Sequence, residues 1–133
     1  MLDSSAIGLA HRKEVLARLR PMLRAGVLYT CPVLDLEALA TAASPQAYRR
    51  MRADRQRVYR SVPFGPAVGE RAIRLQARLG RLSGPPVRPR DLLVAATALE
   101  HDLTVLHHHP AFGVLGEICD LDQRAVAHLG TLE

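Results

Sequence analysis

The sequence contains few cysteines and no long apolar run. Cys31 and Cys119 are too few and too far apart for a disulfide framework or a cysteine-based zinc site, so we expect two buried free thiols. No stretch approaches the roughly 20 apolar residues that cross a bilayer. The first residues lack a basic region followed by a long apolar core, so no secretory signal is predicted. These absences predict a cytoplasmic protein with no membrane partner.

Several catalytic signatures are also missing. We find no serine- or cysteine-protease arrangement, no phosphate-binding glycine loop and no dinucleotide-binding fingerprint. Hydrophobic residues make up 48% of the 133 residues and charged residues 23%, as in ordinary globular proteins. We therefore expect one domain over residues 1–133, long enough to bury a proper core.

The positive charge of the chain is concentrated in arginine, since lysine appears only at Lys13. Segment 49–90 contains twelve arginines and only two acids, Asp54 and Glu70, so its net charge is +10. Because the whole chain has a net charge of +5, the remaining residues sum to −5. Guanidinium groups match phosphate oxygens in pairs, so a polyanionic partner is one interpretation. The other interpretation is that the arginines only cover solvent-exposed helix faces.

The hydrophobic pattern alternates helices with short buried strands. Helices are predicted over 14–25, 32–43, 45–61, 66–83, from Asp91 onward, and over 110–118, and strands over 1–3, 27–31, 103–106 and 123–128. Ser4 or Ser5 is expected to cap a short helix after the first strand. This alternation favours an α/β fold with a mainly parallel sheet flanked by helices.

Helical spacing also predicts which side chains share a face. In helix 32–43 one face carries Val33, Glu37, Ala40 and Thr41, which places Glu37 beside the apolar stripe. In helix 66–83 the inward side chains are predicted to be Val68, Ala72, Ile73, Leu75, Leu79 and Leu82. In helix 45–61 one side carries Tyr48, Met51, Arg55, Val58 and Tyr59.

Three acidic residues are candidates for a catalytic centre. Asp3 directly follows a strand and Asp91 begins a helix, so both could meet at one edge of the sheet, where α/β proteins bind ligands. Glu37 is the third. Each also has a simpler interpretation, because Asp3 and Asp91 are good helix caps and Glu37 could be solvated. Together they predict a site for a hard divalent cation, and hence a metal-dependent hydrolase.

Three consecutive histidines, His107, His108 and His109, end the strand at 103–106. Neighbouring side chains on a strand alternate between faces, so all three cannot ligate one metal. One buried and two solvent-facing histidines is the simplest interpretation. His109 is the best placed to face the acids and is a further candidate metal ligand.

Four segments together resemble PIN-domain ribonucleases of the VapC toxin type. Leu2–Ala6 is similar to the family's opening "LDTSA" motif, and Cys31 to Glu37 resembles the segment that supplies its metal-site glutamate. Arg90 to Leu106 is similar to the family's "PDLLVAATA…GLTVLH" block, the most specific of the matches. Residues 44–63 look like the helical pair of this toxin subgroup.

The resemblance implies a three-layer α/β/α fold and a carboxylate cluster that binds Mg²⁺ or Mn²⁺ and cleaves structured RNA such as tRNA. Asp3, Glu37 and Asp91 would be the catalytic metal ligands, with the Ser5 hydroxyl in support. A VapB-like antitoxin and a homodimer are the implied partners. The candidate RNA-binding arginines are Arg49, Arg50, Arg55, Arg74 and Arg78.

The chain departs from the family pattern in two places. His109 and Ala111 stand where the family carries further acids, and only Met1 and Leu2 precede Asp3 in the first strand. Either the natural start lies upstream or the first strand is weak. Fewer acids attract a hard cation less, although Mn²⁺ tolerates imidazole better than Mg²⁺ does. Two alternatives to a nuclease therefore stay open: a degenerate PIN domain that binds RNA or an antitoxin without cutting, and a nucleic-acid-binding module that relies on its arginine helices.

Overall fold

The computed structural model describes residues 1–80 and 86–128. These residues form α1 (Ser4–Ile7), α2 (Lys13–Ala25), β1 (Tyr29–Thr30), α3 (Pro32–Leu39), α4 (Pro45–Val58), β2 (Arg60–Ser61), α5 (Pro66–Leu79), α6 (Pro89–Glu100), β3 (Val105–His107), α7 (Pro110–Ile118) and β4 (Gln123–Ala125). Within this part of the chain, no helix is long and apolar enough to cross a membrane. The predicted α/β class, mostly helical with short parallel strands, is confirmed.

The N-terminal residues join two pairs of parallel strands. β1 pairs with β2, and β3 pairs with β4. Between the pairs, Leu2 forms a parallel bridge with Leu106, and its backbone N–H donates to the carbonyl of Tyr29 at 3.0 Å. The N–H of Leu106 donates to Met1, and that of Asp3 donates to Leu106. The predicted first strand is thus present as one bridge, which fixes Asp3 at the end of β3.

Side chains alternate between two cores on opposite faces of these strands. Met1 and Val105 pack into a core with residues of α3, α5, α6 and α7. Their neighbours Leu2 and Leu106 belong to a second cluster, with residues of α1 and α2. Because successive strand residues point to opposite faces, this alternation defines three layers, helices–sheet–helices. Helix α6 is the most enclosed element, with Asp91 to Ala98 buried except for Leu93.

Proline begins five helices, at Pro32, Pro45, Pro66, Pro89 and Pro110. The first helical position needs no hydrogen-bonded N–H and suits the fixed proline φ, so these starts follow from local chemistry. Ser44 caps α4, its Oγ accepting from the N–H of Ala47 at 3.0 Å. Gly26 ends α2 in the left-handed region at φ 65°, a conformation that glycine adopts at little cost.

Several local predictions were wrong. Neither Ser4 nor Ser5 caps α1. The cap is Asp3, whose side chain accepts from the N–H of Ser5, which confirms the capping interpretation of Asp3. In α3 the buried side chains are Leu34 and Leu39, while Glu37, Ala40 and Thr41 are not the buried face that the spacing predicted. α3 is short and contacts α4, α6 and α1, and it buries two side chains rather than a full helical stripe.

The remaining differences lie in β2, α4 and α5. The predicted helix 45–61 ends at Val58, and the two exposed residues of β2 follow as a strand that pairs with β1. None of α4's residues is buried, so its predicted face is only partly covered. Ile73, predicted to point inward, is 68% exposed, because α5 buries Val68, Ala72 and Leu75 instead. Helix α5 ends at Leu79, and the last part of the predicted helix, residues 81–83 with the inward Leu82, lies outside the described residues.

Three strands have boundaries that differ from the predicted ones. The strand predicted over 103–106 is observed as Val105–His107, and the one predicted over 123–128 as Gln123–Ala125. The strand predicted over 27–31 is limited to Tyr29–Thr30. Short strands are defined by backbone pairing with neighbours, which hydrophobicity alone does not place.

Candidate metal centre

Asp3 lies at the junction of the first strand and α1 with its side chain 2% exposed. Its Oδ2 accepts two hydrogen bonds from Ser5, from the backbone N–H at 3.0 Å and from the hydroxyl at 2.6 Å. Its Oδ1 lies 2.8 Å from Nη1 of Arg90 but accepts no hydrogen bond from the described residues. Oδ2 is therefore fixed by the start of α1, and Oδ1 faces the guanidinium of Arg90.

Asp91 occupies the first turn of α6 and is completely buried. Its Oδ2 accepts the backbone N–H of Arg88 at 3.0 Å, and its Oδ1 lies 3.2 Å from Nη2 of Arg88 and 2.8 Å from Nη1 of Arg90. Burial acts to raise the pKa of Asp91, but the hydrogen bonds from Arg90 and Arg88 outweigh it and lower the pKa below its usual range. This carboxylate is held ionised.

Glu37 is the most exposed of the three acids, with 39% of its side chain open to solvent. Its Oε1 accepts from Nη2 of Arg90 at 2.6 Å and from Nε at 3.2 Å. The hydroxyl of Ser4 makes a longer contact to the same oxygen, at 3.4 Å. Glu37 therefore turns toward the other two acids although it lies on the exposed side of α3.

Arg90 is the point at which the three predicted acids meet. Its guanidinium pairs with Asp3, Glu37 and Asp91, which come from three different elements, and its side chain is only 16% exposed. Burial acts to lower the pKa of Arg90, but bonds to Glu37 and Asp91 and the charge of Asp3 raise it above its usual value. The sequence analysis counted Arg90 among the basic residues and as the first residue of the family-like block, and neither observation predicted its contacts with the acids.

The donor set suits a hard divalent cation, because all three side chains are carboxylates and one oxygen of Asp3 lacks a hydrogen bond. Within the described residues, however, no three ligating side chains stand in an arrangement ready for a metal ion. Asp3 Oδ1 and Asp91 Oδ1 are at most 5.6 Å apart, twice their common 2.8 Å distance to Arg90 Nη1. One ion with ligands at about 2.1 Å spans about 4.2 Å. Asp3 and Asp91 fit a shared cation once Arg90 moves and their two oxygens close by at most about 1.4 Å.

Ser5 connects the N-terminal helix to the end of β3. Its hydroxyl donates to Asp3 and accepts the backbone N–H of His108 at 2.9 Å. Both hydrogen-bonding functions of the hydroxyl are therefore used. This position ties the orientation of Asp3 to the strand end. The supporting role of Ser5 in catalysis stays a prediction.

The three histidines have different environments. His107 is buried, its Nε2 lies 2.6 Å from Oε1 of Gln123, and burial lowers its pKa, which favours the neutral ring. His108 and His109 are half-buried. The prediction of one buried histidine is therefore confirmed, whereas the other two are less exposed than predicted. His109 caps α7, its Nδ1 accepting from the N–H of Ala111 at 3.1 Å. A ligand role for its other ring nitrogen stays a prediction.

The candidate RNA-binding arginines divide into two groups. Arg49, Arg50, Arg74 and Arg78 are exposed. Arg55 instead donates to Asp35 at 2.8 Å and to the Thr30 hydroxyl at 3.0 Å, and its side chain is 13% exposed. The exposed group can contact a polyanion, whereas Arg55 is committed to holding α4 against α3 and β1.

A cavity of about 560 Å³ adjoins the acids. It shares Ser4 and Glu37 with the acid cluster and extends between α1, α3 and α4, with a mainly apolar lining completed by Ile7, Gly8, Ala38, Thr41, Met51, Asp54 and Arg55. A second cavity, of about 500 Å³, lies at the other end of α6 and is lined by Arg71, Arg74 and Arg78 with residues of α6 and α7.

Comparison with known proteins assigns the chain to a family. The model of the PIN domain matches residues 1–114. The chain belongs to the PIN-domain family. The curated relatives include Ribonuclease VapC21 of Mycobacterium tuberculosis, 32% identical over 113 residues that cover 84% of this chain and 82% of the relative.

A second relative, Ribonuclease VapC51 of Mycobacterium tuberculosis, is 25% identical over 133 residues, which cover the whole chain and 96% of the relative. Among solved structures, VapBC-1 from nontypeable Haemophilus influenzae matches with a TM-score of 0.73 at 19% identity, covering 95% of this chain and 96% of that one. FitAcB from Neisseria gonorrhoeae matches with a TM-score of 0.72 at 19% identity, covering 96% and 98%. These structural matches agree on the fold.

Proposed function

We propose that this protein is a divalent-metal-dependent endoribonuclease of the VapC toxin type. The observation that carries the proposal is the convergence of Asp3, Glu37 and Asp91 on one guanidinium at 2.6 to 2.8 Å. Carboxylates from three elements gather around a single positive charge only where the fold brings them to one point. The two ribonuclease relatives supply the reaction class.

Asp3, Glu37 and Asp91 would hold Mg²⁺ or Mn²⁺, with His109 as a further candidate ligand. The ion would lower the pKa of a water and offset charge on the attacked phosphodiester. Asp3 and Asp91 are buried and anchored by Ser5 and by the start of α6, so they would position the ion. Glu37 is exposed, so it would bind the ion from the side that is open to substrate. The carboxylate bonds to Arg88 help keep Asp91 ionised for this role.

The exposed arginines of α4 and α5 are the proposed contacts to RNA. Arg49 and Arg50 lie on α4, and Arg74 and Arg78 on α5. Guanidinium groups bind phosphate oxygens without reading sequence, so these contacts would give affinity and not selectivity. A structured RNA such as tRNA would present several phosphates to both helices at once.

A VapB-like antitoxin is the proposed protein partner. VapBC complexes are among the solved structures that share this fold. The apolar cavity that opens beside Glu37 gives a partner segment a place to bind next to the acids. We also propose a homodimer. Co-expression with a small reading frame found next to the gene, followed by size-exclusion chromatography with light scattering, tests both assemblies.

The test of the activity is cleavage of total tRNA by purified protein in Mn²⁺, in Mg²⁺ and in chelator. Asp91→Asn removes one buried carboxylate charge and should reduce metal-dependent cleavage by at least about 100-fold. Asp35→Asn is the matched control, because Asp35 also pairs with an arginine but lies outside the acid cluster. Asp91→Asn cleavage close to that of the parent would contradict the assignment.

The second candidate is a degenerate PIN domain that binds RNA or an antitoxin without cutting. It is favoured by His109 and Ala111, which serve as helix cap and core residue where the family carries acids. In that case a folded parent protein would bind RNA but leave it intact in either metal. His109→Asp combined with Ala111→Asp should then create metal-dependent cleavage.

A further inference from the structure

Arg90 occupies the centre of the acid cluster, where a cation would have to bind. We propose that Arg90 is a resident counterion of the cluster, and that a divalent cation binds only by displacing its guanidinium. The inference rests on the proposed function, since it concerns the same site. It adds that metal binding is an exchange between two cations and not the filling of an open cage.

The contacts of Arg90 place its charge at the shared point of the acids. Nη1 lies 2.8 Å from Oδ1 of Asp3 and 2.8 Å from Oδ1 of Asp91, and Nη2 lies 2.6 Å from Oε1 of Glu37. These are the oxygens that a shared ion would need. A dication bound to the same oxygens would sit against a like charge, so the two cations exclude one another.

The charge balance of the site explains why a resident cation is needed. Asp3 and Asp91 are both buried, with oxygens at most 5.6 Å apart, twice 2.8 Å. Two ionised carboxylates this close and this dry repel each other unless a positive charge lies between them. Arg88 compensates Asp91 alone, because its three contacts to the acids all go to that residue. Arg90 is the group that neutralises the shared region.

The contacts of Arg90 suggest the direction in which its guanidinium would leave. The guanidinium reaches the cluster from the first turn of α6, and its outer contact is to Glu37, the exposed member of the three. We infer that the guanidinium leaves toward Glu37, because this is the most exposed of the three acids. Asp3 and Asp91 keep separate anchors, from Ser5 and from the backbone N–H of Arg88, so each carboxylate stays hydrogen-bonded while it shifts toward a shared ion.

The experiment is a calorimetric Mn²⁺ titration of the parent, Arg90→Gln, Arg90→Lys and Arg71→Gln. Arg90→Gln should bind Mn²⁺ at least about tenfold more tightly, because the competing charge is gone. Arg90→Lys keeps a positive charge and should stay closer to the parent. Arg71→Gln removes another half-buried arginine from its carboxylate, Glu100 at 2.6 Å, and should leave the affinity unchanged.

Thermal unfolding gives a readout that does not depend on activity. Without its counterion, Arg90→Gln should lose stability in chelator and gain more from Mn²⁺ than the parent does. If the variant fails to fold in chelator, refolding on addition of Mn²⁺ supports the proposal. Arg90→Lys serves as the second variant if Arg90→Gln does not fold in chelator, because it keeps a positive charge beside the acids. With fewer contacts to the acids than the guanidinium has, it should bind Mn²⁺ more tightly than the parent but less tightly than Arg90→Gln.

The outcomes separate this inference from the proposed function. Equal or weaker Mn²⁺ affinity in Arg90→Gln, when the parent binds Mn²⁺ and cleaves RNA, overturns the inference and leaves the function standing. Tighter binding in Arg90→Gln by a protein that never cleaves RNA supports the inference and contradicts the function. Absence of Mn²⁺ binding in the folded parent and in Arg90→Gln overturns both.

Discussion

The hydroxyl of Ser5 accepts the backbone N–H of His108 at 2.9 Å, joining positions that are 103 residues apart in the chain. The same hydroxyl donates to Asp3 at 2.6 Å. One small side chain thus fixes a candidate metal ligand relative to the end of β3. The position of Asp3 is set by a contact between the two halves of the chain and not by its own helix alone.

Replacing Ser5 with alanine should therefore affect stability and activity together. Ser5→Ala leaves the partly buried N–H of His108 without its acceptor, which is expected to cost about 1–3 kcal/mol of unfolding free energy. Looser orientation of Asp3 is expected to lower metal affinity or cleavage by about 10- to 100-fold. Urea unfolding and an RNA cleavage assay measure the two effects.

Ser4→Ala is the control for this substitution. Its hydroxyl makes only an exposed 3.4 Å contact to Glu37, so its loss should change stability by less than about 0.5 kcal/mol. If the two variants behave alike, the bridge between Asp3 and His108 does not organise the site.

The two residues that replace expected acids should respond differently to mutation. His109→Asp keeps a capping acceptor for the Ala111 N–H, so the stability should change little, whereas His109→Ala should lose about 1 kcal/mol. Ala111→Asp inserts a charge at a fully buried position and should destabilise the protein by several kcal/mol in chelator. Chemical denaturation of the three variants checks this order.

Mn²⁺ then distinguishes a lost core residue from a restored ligand. If the carboxylate introduced by Ala111→Asp faces the acid cluster, Mn²⁺ should recover much of the lost stability of that variant. Equal destabilisation with and without Mn²⁺ would mean that position 111 belongs to the core alone.

Local chemistry accounts for what the sequence predicts well. Prolines at the first helical position mark five helix starts, and Pro110–Ile118 is observed with the predicted bounds. The acids Asp3 and Asp91 are found at strand and helix ends as predicted, because capping preferences are local. The family resemblance predicted the fold, which the observed layers and the family comparison bear out.

The features that the sequence did not predict depend on tertiary contacts. β2 contains only Arg60 and Ser61, both exposed, and its identity as a strand comes from bonding to β1. Arg90 looks like any other arginine of the basic segment until the first strand, α3 and α6 are brought together. Neither β2 nor Arg90 carries a periodic or compositional signal, so neither position follows from the sequence alone.

The two thiols should react at different rates. Burial raises the pKa of the Cys31 thiol and leaves little thiolate near neutral pH, and the residue is completely buried. Cys119 is half-buried, with its thiol donating to the Leu115 carbonyl at 3.0 Å. A thiol reagent should therefore modify one cysteine in the native protein and both after unfolding. Cys119→Ser should abolish the native reaction and Cys31→Ser should preserve it; the reverse pattern would show that Cys31 is accessible.

RNA binding through the exposed arginines should depend strongly on salt concentration. RNA binding by the Asp91→Asn variant in chelator can be measured without cleavage between about 50 and about 200 mM salt, a range in which counterion release dominates. Removing the two exposed arginines of α4, as Arg49→Gln with Arg50→Gln, should reduce the slope of log K against log salt by about 0.7 to 0.9 for each residue that contacts a phosphate.

Arg55→Gln provides the contrast from the same helix. Arg55 is enclosed and bonded to Asp35 and Thr30, so its loss should lower the unfolding free energy and leave the salt slope nearly unchanged. An unchanged slope in the Arg49–Arg50 double variant would mean that α4 does not hold the RNA. The basic cavity lined by Arg74 and Arg78 on α5 would then be the surface to test by the same titration, because its two exposed guanidinium groups are the remaining candidates for phosphate contact.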